Sequence, residues 1–343
     1  MQTKNLAKIQ PTRKTAVAQQ SVVLESGEAG LLPLILESAT GVQLLPWYQS
    51  NRERLERELR LRGGILFRGF PVAGAEDFEA FVRAVTPDLM EYKERSTPRT
   101  EVGNRIYTST EYPSHQRIAH HNEFSYSYIW PMRIFFFALL PPEKGGETPI
   151  ADSRKVYRKI PPDVRAKFEE KDVMYVRNYG VGIDLSWQEA FQTADRSRVE
   201  EYCREAPVDW EWLPGDRLRT RQVRPAVARH PESGELLWFN QAHLFHITNL
   251  QAEVCASMRE VFDEQDLPRN AYFGDGSPIP DSDLDLIREA YRTSEVAFPW
   301  RQGDVLLLDN MLVAHGRNPY QGPRRILAAL SQPLHARKPD QRR

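Results

Sequence analysis

Hydrophobic residues recur along the chain with two different periods, and the change of period predicts where helices give way to strands. Residues 46–62 place leucines among charged side chains at helical spacing, which is typical of an amphipathic helix. Residues 63–72 form a short apolar run bounded by glycine and proline, which predicts a buried strand. Residues 75–85 carry aromatic and aliphatic side chains on one helical face. The sequence therefore predicts helix, strand and helix in this region.

From Gly103 onward the chain consists of short aromatic and β-branched segments separated by proline and glycine, which favours strands. Further helices are predicted at 155–172, 187–205, 250–266 and 281–293. Further strands are predicted at 221–230, 235–240, 303–310 and 324–333. Strands at both ends with helices between them predict a mainly β fold with flanking helices: a jelly-roll, cupin-like barrel with a helical lid inserted over roughly residues 155–295.

We predict a single folded domain over residues 21–335, because no segment has the composition of a linker. Residues 1–20 contain basic residues but no apolar core of a secretory signal, so they are expected to form a disordered tail. Residues 336–343 are expected to be a solvated basic tail.

The charge balance narrows the classes of partner. Lysine and arginine number 46 and aspartate and glutamate 47, which gives a formal net charge of −1 and argues against a nucleic-acid surface. No stretch approaches the roughly 18 apolar residues of a membrane span. Two cysteines, Cys203 and Cys255, cannot build a disulfide framework, which favours the cytoplasm. We therefore expect neither a nucleic acid nor a membrane as partner.

The segment HHNEF contains the first candidate metal ligands, His121 and Glu123. Residues two apart on a strand point to the same face, so imidazole and carboxylate would enter a barrel interior together. The neighbouring His120 would face the opposite side, which makes it the weaker candidate. A single His-x-Glu pair is weak evidence by itself.

A third candidate ligand, His315, follows the apolar strand at 305–308 and a turn. Two imidazoles and one carboxylate on one face of a metal leave the other positions open. This is the facial arrangement that suits non-haem iron(II) and dioxygen chemistry. The sequence therefore indicates an iron site formed by His121, Glu123 and His315.

Two further residues suggest a site for a carboxylate ligand. Thr148 follows a glycine pair that permits close approach of the backbone, so its hydroxyl could bond a ligand oxygen. Arg325, ten residues beyond His315, offers a fork of donors that matches a carboxylate. Arg324 is the alternative if the register differs by one residue.

With these motifs the chain resembles the taurine dioxygenase family of iron(II)/2-oxoglutarate-dependent oxygenases, in the branch of syringomycin-type aspartyl hydroxylases from nonribosomal-peptide pathways. The resemblance runs from about residue 64 to the carboxyl end, through segments TSTEYP, HNEFSYS, WPMRIFFF, GGETPIADSRKVY, WFNQAHLFH and AHGRNPYQGPRRIL. It implies a double-stranded β-helix fold, with His121, Glu123 and His315 on iron and Thr148 and Arg325 on 2-oxoglutarate.

The resemblance also implies a reaction, the hydroxylation of an unactivated carbon with dioxygen as co-substrate and ascorbate as an in-vitro reductant. An amino-acid-like substrate, free or tethered to a carrier protein, is implied, in antibiotic or other specialised metabolism. Desaturation and epoxidation remain alternatives within the family. Glu123 is neither the commoner Asp nor the small residue of related halogenases, which favours hydroxylation over halogenation. Ala329 stands where taurine dioxygenase has an arginine for the sulfonate, which argues against taurine.

Several polar residues have competing interpretations. His243 and His246 have helical zinc-ligand spacing but no third ligand, so packing or substrate contact is favoured. Asn240 and His243 are candidate substrate-contacting residues. Arg317 is interpreted as a structural arginine, and Asp304 and Asp309 as groups that do not bind the metal directly.

Two rival functions also remain: a non-catalytic cupin-like binding protein, and a zinc-dependent hydrolase or isomerase, which would not need Arg325.

Overall fold

A computed structural model of the chain describes residues 22–25, 32–91, 100–110 and 112–336. The predicted tail at 1–20 lies outside the described residues, as does nearly all of the tail predicted at 336–343. Within the described residues no helix combines the length and apolar character that a membrane crossing requires. The single-domain boundaries at 21–335 stay a prediction.

The first half of the chain supplies two helices and nine strands among the described residues. In chain order these are β1 (Val22–Glu25), β2 (Leu34–Ser38), α1 (Leu44–Arg62), β3 (Gly64–Arg68), α2 (Ala75–Val85), β4 (Glu101–Gly103), β5 (Ile106–Thr108), β6 (Ile118–His121), β7 (Ile129–Leu140), β8 (Lys144–Gly145) and β9 (Ile150–Asp152). The sequence placed α1, β3 and α2 correctly to within a few residues.

The inserted segment combines helices with strands, and strands lie in both regions predicted at 221–230 and 235–240. It contains α3 (Ser153–Lys159), α4 (Pro162–Lys171), β10 (Val173–Tyr179), α5 (Trp187–Phe191), α6 (Arg196–Glu205), β11 (Asp209–Leu213), β12 (Arg217–Arg224), β13 (Val227–Arg229), β14 (Leu236–Trp238), α7 (Ala242–Phe245), α8 (Ala252–Val261), β15 (Arg269–Phe273), α9 (Asp281–Arg292) and β16 (Glu295–Val296). Four of these strands form an antiparallel sheet in the order β11-β12-β10-β15.

The last strands of the described residues are β17 (Val305–Asp309), β18 (Val313–Arg317), β19 (Tyr320–Gln321) and β20 (Arg325–His335). Strands β17, β18 and β20 complete the two barrel sheets, and β19 pairs with β8 in a separate two-stranded sheet. The larger sheet has the order β1-β2-β3-β17-β7-β20-β5-β4, and the smaller has the order β16-β9-β18-β6. Each strand of the smaller sheet pairs antiparallel with its neighbour. The inner faces of both sheets pack into one hydrophobic core.

The aromatic run in β7 shows how strand alternation assigns each residue to a core. Phe135 and Phe137 face outward and pack under α1 and α2, in the second hydrophobic cluster. Phe136 faces the barrel interior, and its ring centroid lies 5.1 Å from that of His315. Successive residues of a strand point to opposite faces, so one run of three phenylalanines joins the helical layer to the site.

A buried ion pair joins β3 to the start of β17. Arg68 Nη2 lies 2.7 Å from Asp304 Oδ2, and the same nitrogen donates to the Pro299 carbonyl at 2.9 Å. Both charged side chains are buried. Breaking a buried pair by removing one partner leaves an uncompensated charge, which is strongly destabilising.

We expect Arg68→Met to lower the free energy of unfolding by about 3–5 kcal/mol. The matched control is Arg301→Met, which removes an exposed pair with Glu37 and should cost about 0–1 kcal/mol. Urea unfolding followed by circular dichroism measures both. Equal small losses for the two variants would contradict a structural role for the buried pair.

Candidate metal centre and adjoining cavity

Two neighbouring strands bring the two candidate histidine ligands together. His121 ends β6 and His315 lies in the middle of β18, and the two residues are direct partners in the antiparallel register. Directly opposite residues share a face of the sheet, so both imidazoles point the same way. Their ring centroids are 4.5 Å apart.

Gly316 allows this close pairing of β18 with β6. The register shifts between His315 and Arg317, and a Cβ atom on Gly316 would lie 2.6 Å from the Ile118 carbonyl oxygen. Any side chain there would push β18 away from β6. The glycine after His315 is therefore required by the approach of the two backbones.

Glu123 completes the group from a turn rather than from the strand. Its Oε2 lies 3.9 Å from Nε2 of His121 and 3.6 Å from Nε2 of His315. The candidate ligand atoms of the three residues all lie within 4.8 Å of one another. Strand β6 ends at His121, so the expected strand alternation does not place Glu123; the turn that follows does.

Asn310 holds this turn, and sequence analysis missed it. Its Oδ1 accepts a hydrogen bond from the Glu123 backbone N–H at 2.7 Å. Its Nδ2 donates to the carbonyls of Glu123 and Pro131 at 2.9 and 2.8 Å. Asn310 is fully buried, directly after Asp309 at the end of β17. A buried amide that satisfies three backbone groups fixes the carboxylate-bearing segment to the sheet.

Two more buried amides complete the support. Asn122 Nδ2 donates to the Asn310 carbonyl at 2.6 Å and to Ser153 Oγ at 3.1 Å. Gln241 Nε2 donates to the Asn122 carbonyl at 2.8 Å. The inserted segment thereby reaches back to the turn that carries Glu123.

A backbone carbonyl selects the tautomer of His121. Its Nδ1 lies 2.9 Å from the Ala119 carbonyl oxygen, which can only accept a hydrogen bond. Nδ1 therefore carries the proton, and Nε2 presents its lone pair on the side of Glu123. Such outer hydrogen bonds are the usual way in which a metal-binding imidazole is oriented.

A small cavity adjoins the three candidate ligands. Its lining includes His121, His315, Thr148, Phe136 and Arg324. Thr148 Oγ1 accepts a hydrogen bond from Nε1 of the buried Trp300 at 3.2 Å. An indole N–H can only donate, so the hydroxyl hydrogen of Thr148 remains available for an acceptor. Trp300 is a second contributor that the sequence analysis missed.

Of the two candidate arginines, the structure places Arg324 rather than Arg325 at the cavity. Arg325 is exposed and pairs with the exposed Leu140 at the edge of the sheet, where a bulge shifts the register. Arg324, the alternative weighed from the sequence, lines the cavity instead. Four residues after Arg324 lies Ala328, which is an alanine like Ala329. The chain therefore lacks the sulfonate-binding arginine of taurine dioxygenase in either register, which still argues against taurine.

Arg324 is fixed by two hydrogen bonds. Its Nε donates to the Gly146 carbonyl at 3.1 Å, and its Nη1 donates to Ser109 Oγ at 3.0 Å. Burial, together with the nearby charge of Arg317, lowers the pKa of Arg324 to about 10. The group stays protonated at neutral pH, and its desolvated charge would be stabilised by an anion in the cavity.

The candidate substrate residues have structural contacts instead. Asn240 is buried, with Nδ2 donating to the Ala226 carbonyl and Oδ1 accepting from the Ala242 N–H. His243 Nε2 lies 2.9 Å from the His120 carbonyl oxygen, so it tethers the strand that ends at His121. Neither residue is among those that line the cavity in the described structure. These side chains satisfy buried backbone groups, and substrate contact by either residue stays a prediction.

His120 faces away from the candidate ligands, as strand alternation predicts. Its ring stacks on Tyr291 and its Nε2 lies 3.4 Å from Glu295 Oε2. Burial lowers the pKa values of both His120 and His243 to about 3, so both are neutral at physiological pH. His246 packs apart from the site, with Nδ1 2.8 Å from Thr248 Oγ1.

The side chains of Arg317, Asp304 and Asp309 make structural hydrogen bonds and ion pairs. Arg317 donates to four backbone carbonyls of residues 110–116, which fits the structural role expected from the sequence. Asp304 pairs with Arg68. Asp309 Oδ2 lies 3.1 Å from His230 Nε2, and its Oδ1 accepts the N–H groups of residues 311 and 312 just before β18. Both aspartates are buried.

The sequence matches one family model over residues 30–330, described as taurine catabolism dioxygenase TauD, TfdA family. The dapdiamide synthesis protein DdaC of Enterobacter agglomerans is 43% identical over 281 residues, which cover 82% of this chain and 85% of the relative. A clavaminate synthase-like protein of Arabidopsis thaliana is 33% identical over 296 residues, with the same shares covered.

Solved structures share the architecture at much lower identity. A taurine dioxygenase from Burkholderia xenovorans superposes with a TM-score of 0.53 at 16% identity, covering 94% of this chain and 93% of that one. PvcB from Pseudomonas aeruginosa gives a TM-score of 0.51 at 15% identity, covering 88% and 86%. These likenesses confirm the fold class predicted from the sequence.

We expect Asn310→Ala to weaken binding of a divalent metal by about 10–100-fold, because the turn that presents Glu123 loses its anchor. Anaerobic iron(II) titration measures the change. The matched control is Asn178→Ala, which removes another buried amide that donates to two carbonyls, in the sheet of the inserted segment. Equal metal affinity in the two variants would contradict a positioning role for Asn310.

Proposed function

Because the chain belongs to the TauD, TfdA family of dioxygenases, we propose that it hydroxylates an unactivated carbon of an amino acid or amino-acid-derived substrate in specialised metabolism. The enzyme is an oxidoreductase that uses iron(II), 2-oxoglutarate and dioxygen. The substrate is free or bound to a carrier protein. The reaction takes place in the cytoplasm, a location that fits the buried free thiols of Cys203 and Cys255.

The observation that carries the proposal is the convergence of His121, Glu123 and His315. Two imidazole nitrogens and one carboxylate on one side fit iron(II), because this donor set leaves open positions for small ligands. The buried carboxylate of Glu123 would also attract a bound cation strongly, because charges interact more strongly away from water. When bound, iron(II) would supply the activation of dioxygen together with 2-oxoglutarate.

The protein's own part is to bind, orient and exclude water. Arg324 would bind the distal carboxylate of 2-oxoglutarate as a charge-assisted pair, and the Thr148 hydroxyl would donate a second hydrogen bond. The Trp300 contact keeps that hydroxyl hydrogen pointed away from the indole. Phe136 packs against His315 and closes one wall against solvent.

Support for the substrate class comes from the relatives. The relative at 43% identity is named for dapdiamide synthesis, and the similarity extends over 82% of this chain.

Glu123 supplies a carboxylate where a halogenase would need an open position for chloride, so hydroxylation is favoured over halogenation. The absence of an arginine at Ala328 favours a substrate without a sulfonate at that point.

The proposal is tested by succinate release in the presence of iron(II), 2-oxoglutarate and ascorbate. Release should rise when the panel of free amino acids, amino-acid conjugates and carrier-bound thioesters contains a substrate, and mass spectrometry should find the product heavier by one oxygen. His315→Ala should abolish iron-dependent release, because two remaining ligands hold the metal weakly.

Asn270→Ala is a suitable control for His315→Ala, since Asn270 is a buried polar residue that contacts the inserted segment rather than the candidate ligands. Retained activity in His315→Ala, at an unchanged far-ultraviolet spectrum, would contradict the ligand assignment. A product two hydrogens lighter than the substrate would show desaturation instead of hydroxylation.

A matched pair of arginine variants tests which arginine binds 2-oxoglutarate. Arg324→Ala should raise KM for 2-oxoglutarate by about tenfold or more, because a buried charge-assisted contact of roughly 1.5–3 kcal/mol is lost. Arg325→Ala should leave that KM within about twofold, since Arg325 is exposed and away from the cavity. Steady-state succinate release measures both variants. The reverse ranking would restore Arg325 as the binding residue.

A further inference from the structure

A chain of charged and polar side chains connects α1, the large sheet and the inserted segment. Arg133 Nη2 lies 3.0 Å from Oε2 of Glu56 on α1, and Arg133 Nη1 lies 3.4 Å from Asp309 Oδ2. His230 Nε2 lies 3.1 Å from the same Asp309 oxygen. The side chains of Arg133, Asp309 and His230 are 4%, 1% and 0% exposed. The chain therefore reaches the residue that directly precedes Asn310, the anchor of the Glu123 turn.

The charge of the Asp309 carboxylate is only partly compensated. Arg133 lies closer to Glu56 than to Asp309, so one guanidinium serves two carboxylates. A buried carboxylate whose charge is incompletely balanced depends on hydrogen-bond donors at its oxygens. Within the described residues two side chains contact Oδ2, and His230 is the closer of them. The His230 contact is therefore the main support of Oδ2.

The hairpin between β13 and β14 fixes the tautomer of His230. Its Nδ1 accepts hydrogen bonds from the backbone N–H groups of residues 232 and 233 at 3.3 and 3.1 Å. A ring nitrogen that accepts carries a lone pair, so the proton lies on Nε2. His230 Nε2 therefore donates to the Asp309 carboxylate, and the ring joins the hairpin to the end of β17.

The second oxygen of Asp309 holds the turn between β17 and β18. Oδ1 accepts hydrogen bonds from the N–H groups of Met311 and Leu312 at 3.0 and 3.1 Å, which is a common way for an aspartate to fix a turn. Asn310 lies inside this turn, and its side chain bonds the Glu123 backbone. The orientation of Asn310 therefore depends on an Asp309 carboxylate that keeps Oδ1 towards the turn.

Arg133 offers Asp309 a competing position. Its Nε is buried and has no hydrogen-bond partner within the part of the chain that the structure describes. Without the His230 donor, the carboxylate would gain by moving to this N–H, because charge-assisted hydrogen bonds are the stronger kind. Such a movement would withdraw Oδ1 from the turn and loosen the hold of Asn310 on Glu123.

We propose that His230 is a positioning residue for the candidate ligand Glu123. It acts through Asp309 and the turn that carries Asn310, rather than by contact with the metal. A hairpin of the inserted segment thereby helps to set the iron(II) affinity of the barrel. This inference rests on the proposed function, because it treats Glu123 as an iron ligand.

Two amide variants separate this role from a purely structural role of His230 in the hairpin. His230→Asn places a carbonyl oxygen near the position of Nδ1, so it keeps the hairpin bonds but is too short to reach Asp309. His230→Gln places an N–H donor near the position of Nε2, so it keeps the Asp309 contact. Anaerobic iron(II) titration should show about tenfold weaker binding for His230→Asn, and binding within about threefold of the unmodified protein for His230→Gln.

Amide hydrogen exchange of the metal-free protein supplies a readout that needs no iron. The N–H groups of Met311, Leu312 and Glu123 should exchange about tenfold faster in His230→Asn, relative to those of β7. Arg68→Met is the control, because it removes the buried ion pair at the opposite end of β17. It should speed exchange of these amides and of β7 together, and leave iron(II) affinity within about twofold.

The outcomes separate this inference from the proposed function. Unchanged iron(II) affinity in His230→Asn, or weaker binding in His230→Gln than in His230→Asn, would overturn the positioning role. Binding by His230→Gln that falls by about tenfold would overturn it even if His230→Asn failed to fold. Unchanged relative exchange of the three amides would overturn the coupling through Asp309. Absence of iron(II) binding by the unmodified protein would instead contradict the proposed function itself.

Discussion

The candidate site depends on one constraint: a carboxylate must be held beside two imidazoles that arrive on neighbouring strands. The imidazoles need only the antiparallel register of β6 and β18, which places His121 opposite His315. Glu123 lies beyond the end of β6, and its position depends on the buried Asn310 amide, which bonds its backbone from both sides. Asn310 directly follows β17, so the end of a large-sheet strand fixes one candidate ligand while the small sheet fixes the other two.

The layers of the fold serve this arrangement. Helices α1 and α2 cover the outer face of the large sheet and exclude water there, while the inner face carries Phe136 against His315. The inserted segment adds support from the opposite side, because Gln241 bonds the turn before Glu123 and His243 tethers the end of β6. The inserted segment therefore supports the strand and the turn that carry His121 and Glu123.

Local patterns in the sequence were sufficient to predict the fold class and the elements α1, β3 and α2. They also singled out the three candidate ligands, because two histidines and a glutamate are residue types that bind iron(II). They were insufficient where tertiary contacts decide. Strands β10 and β15, which pair with each other in the sheet of the inserted segment, were not predicted. A bulge turned Arg325 outward and left Arg324 at the cavity. Nor did local patterns reveal that Asn240 and His243 bond buried backbone carbonyls.

Anomalous diffraction from anaerobic crystals soaked with iron(II) tests the central claim most directly. The account predicts one strong iron peak between Nε2 of His121, Nε2 of His315 and the carboxylate of Glu123, with the side towards Arg324 open to added 2-oxoglutarate. A peak at any other set of side chains, or no peak at this position under saturating iron(II), would contradict it.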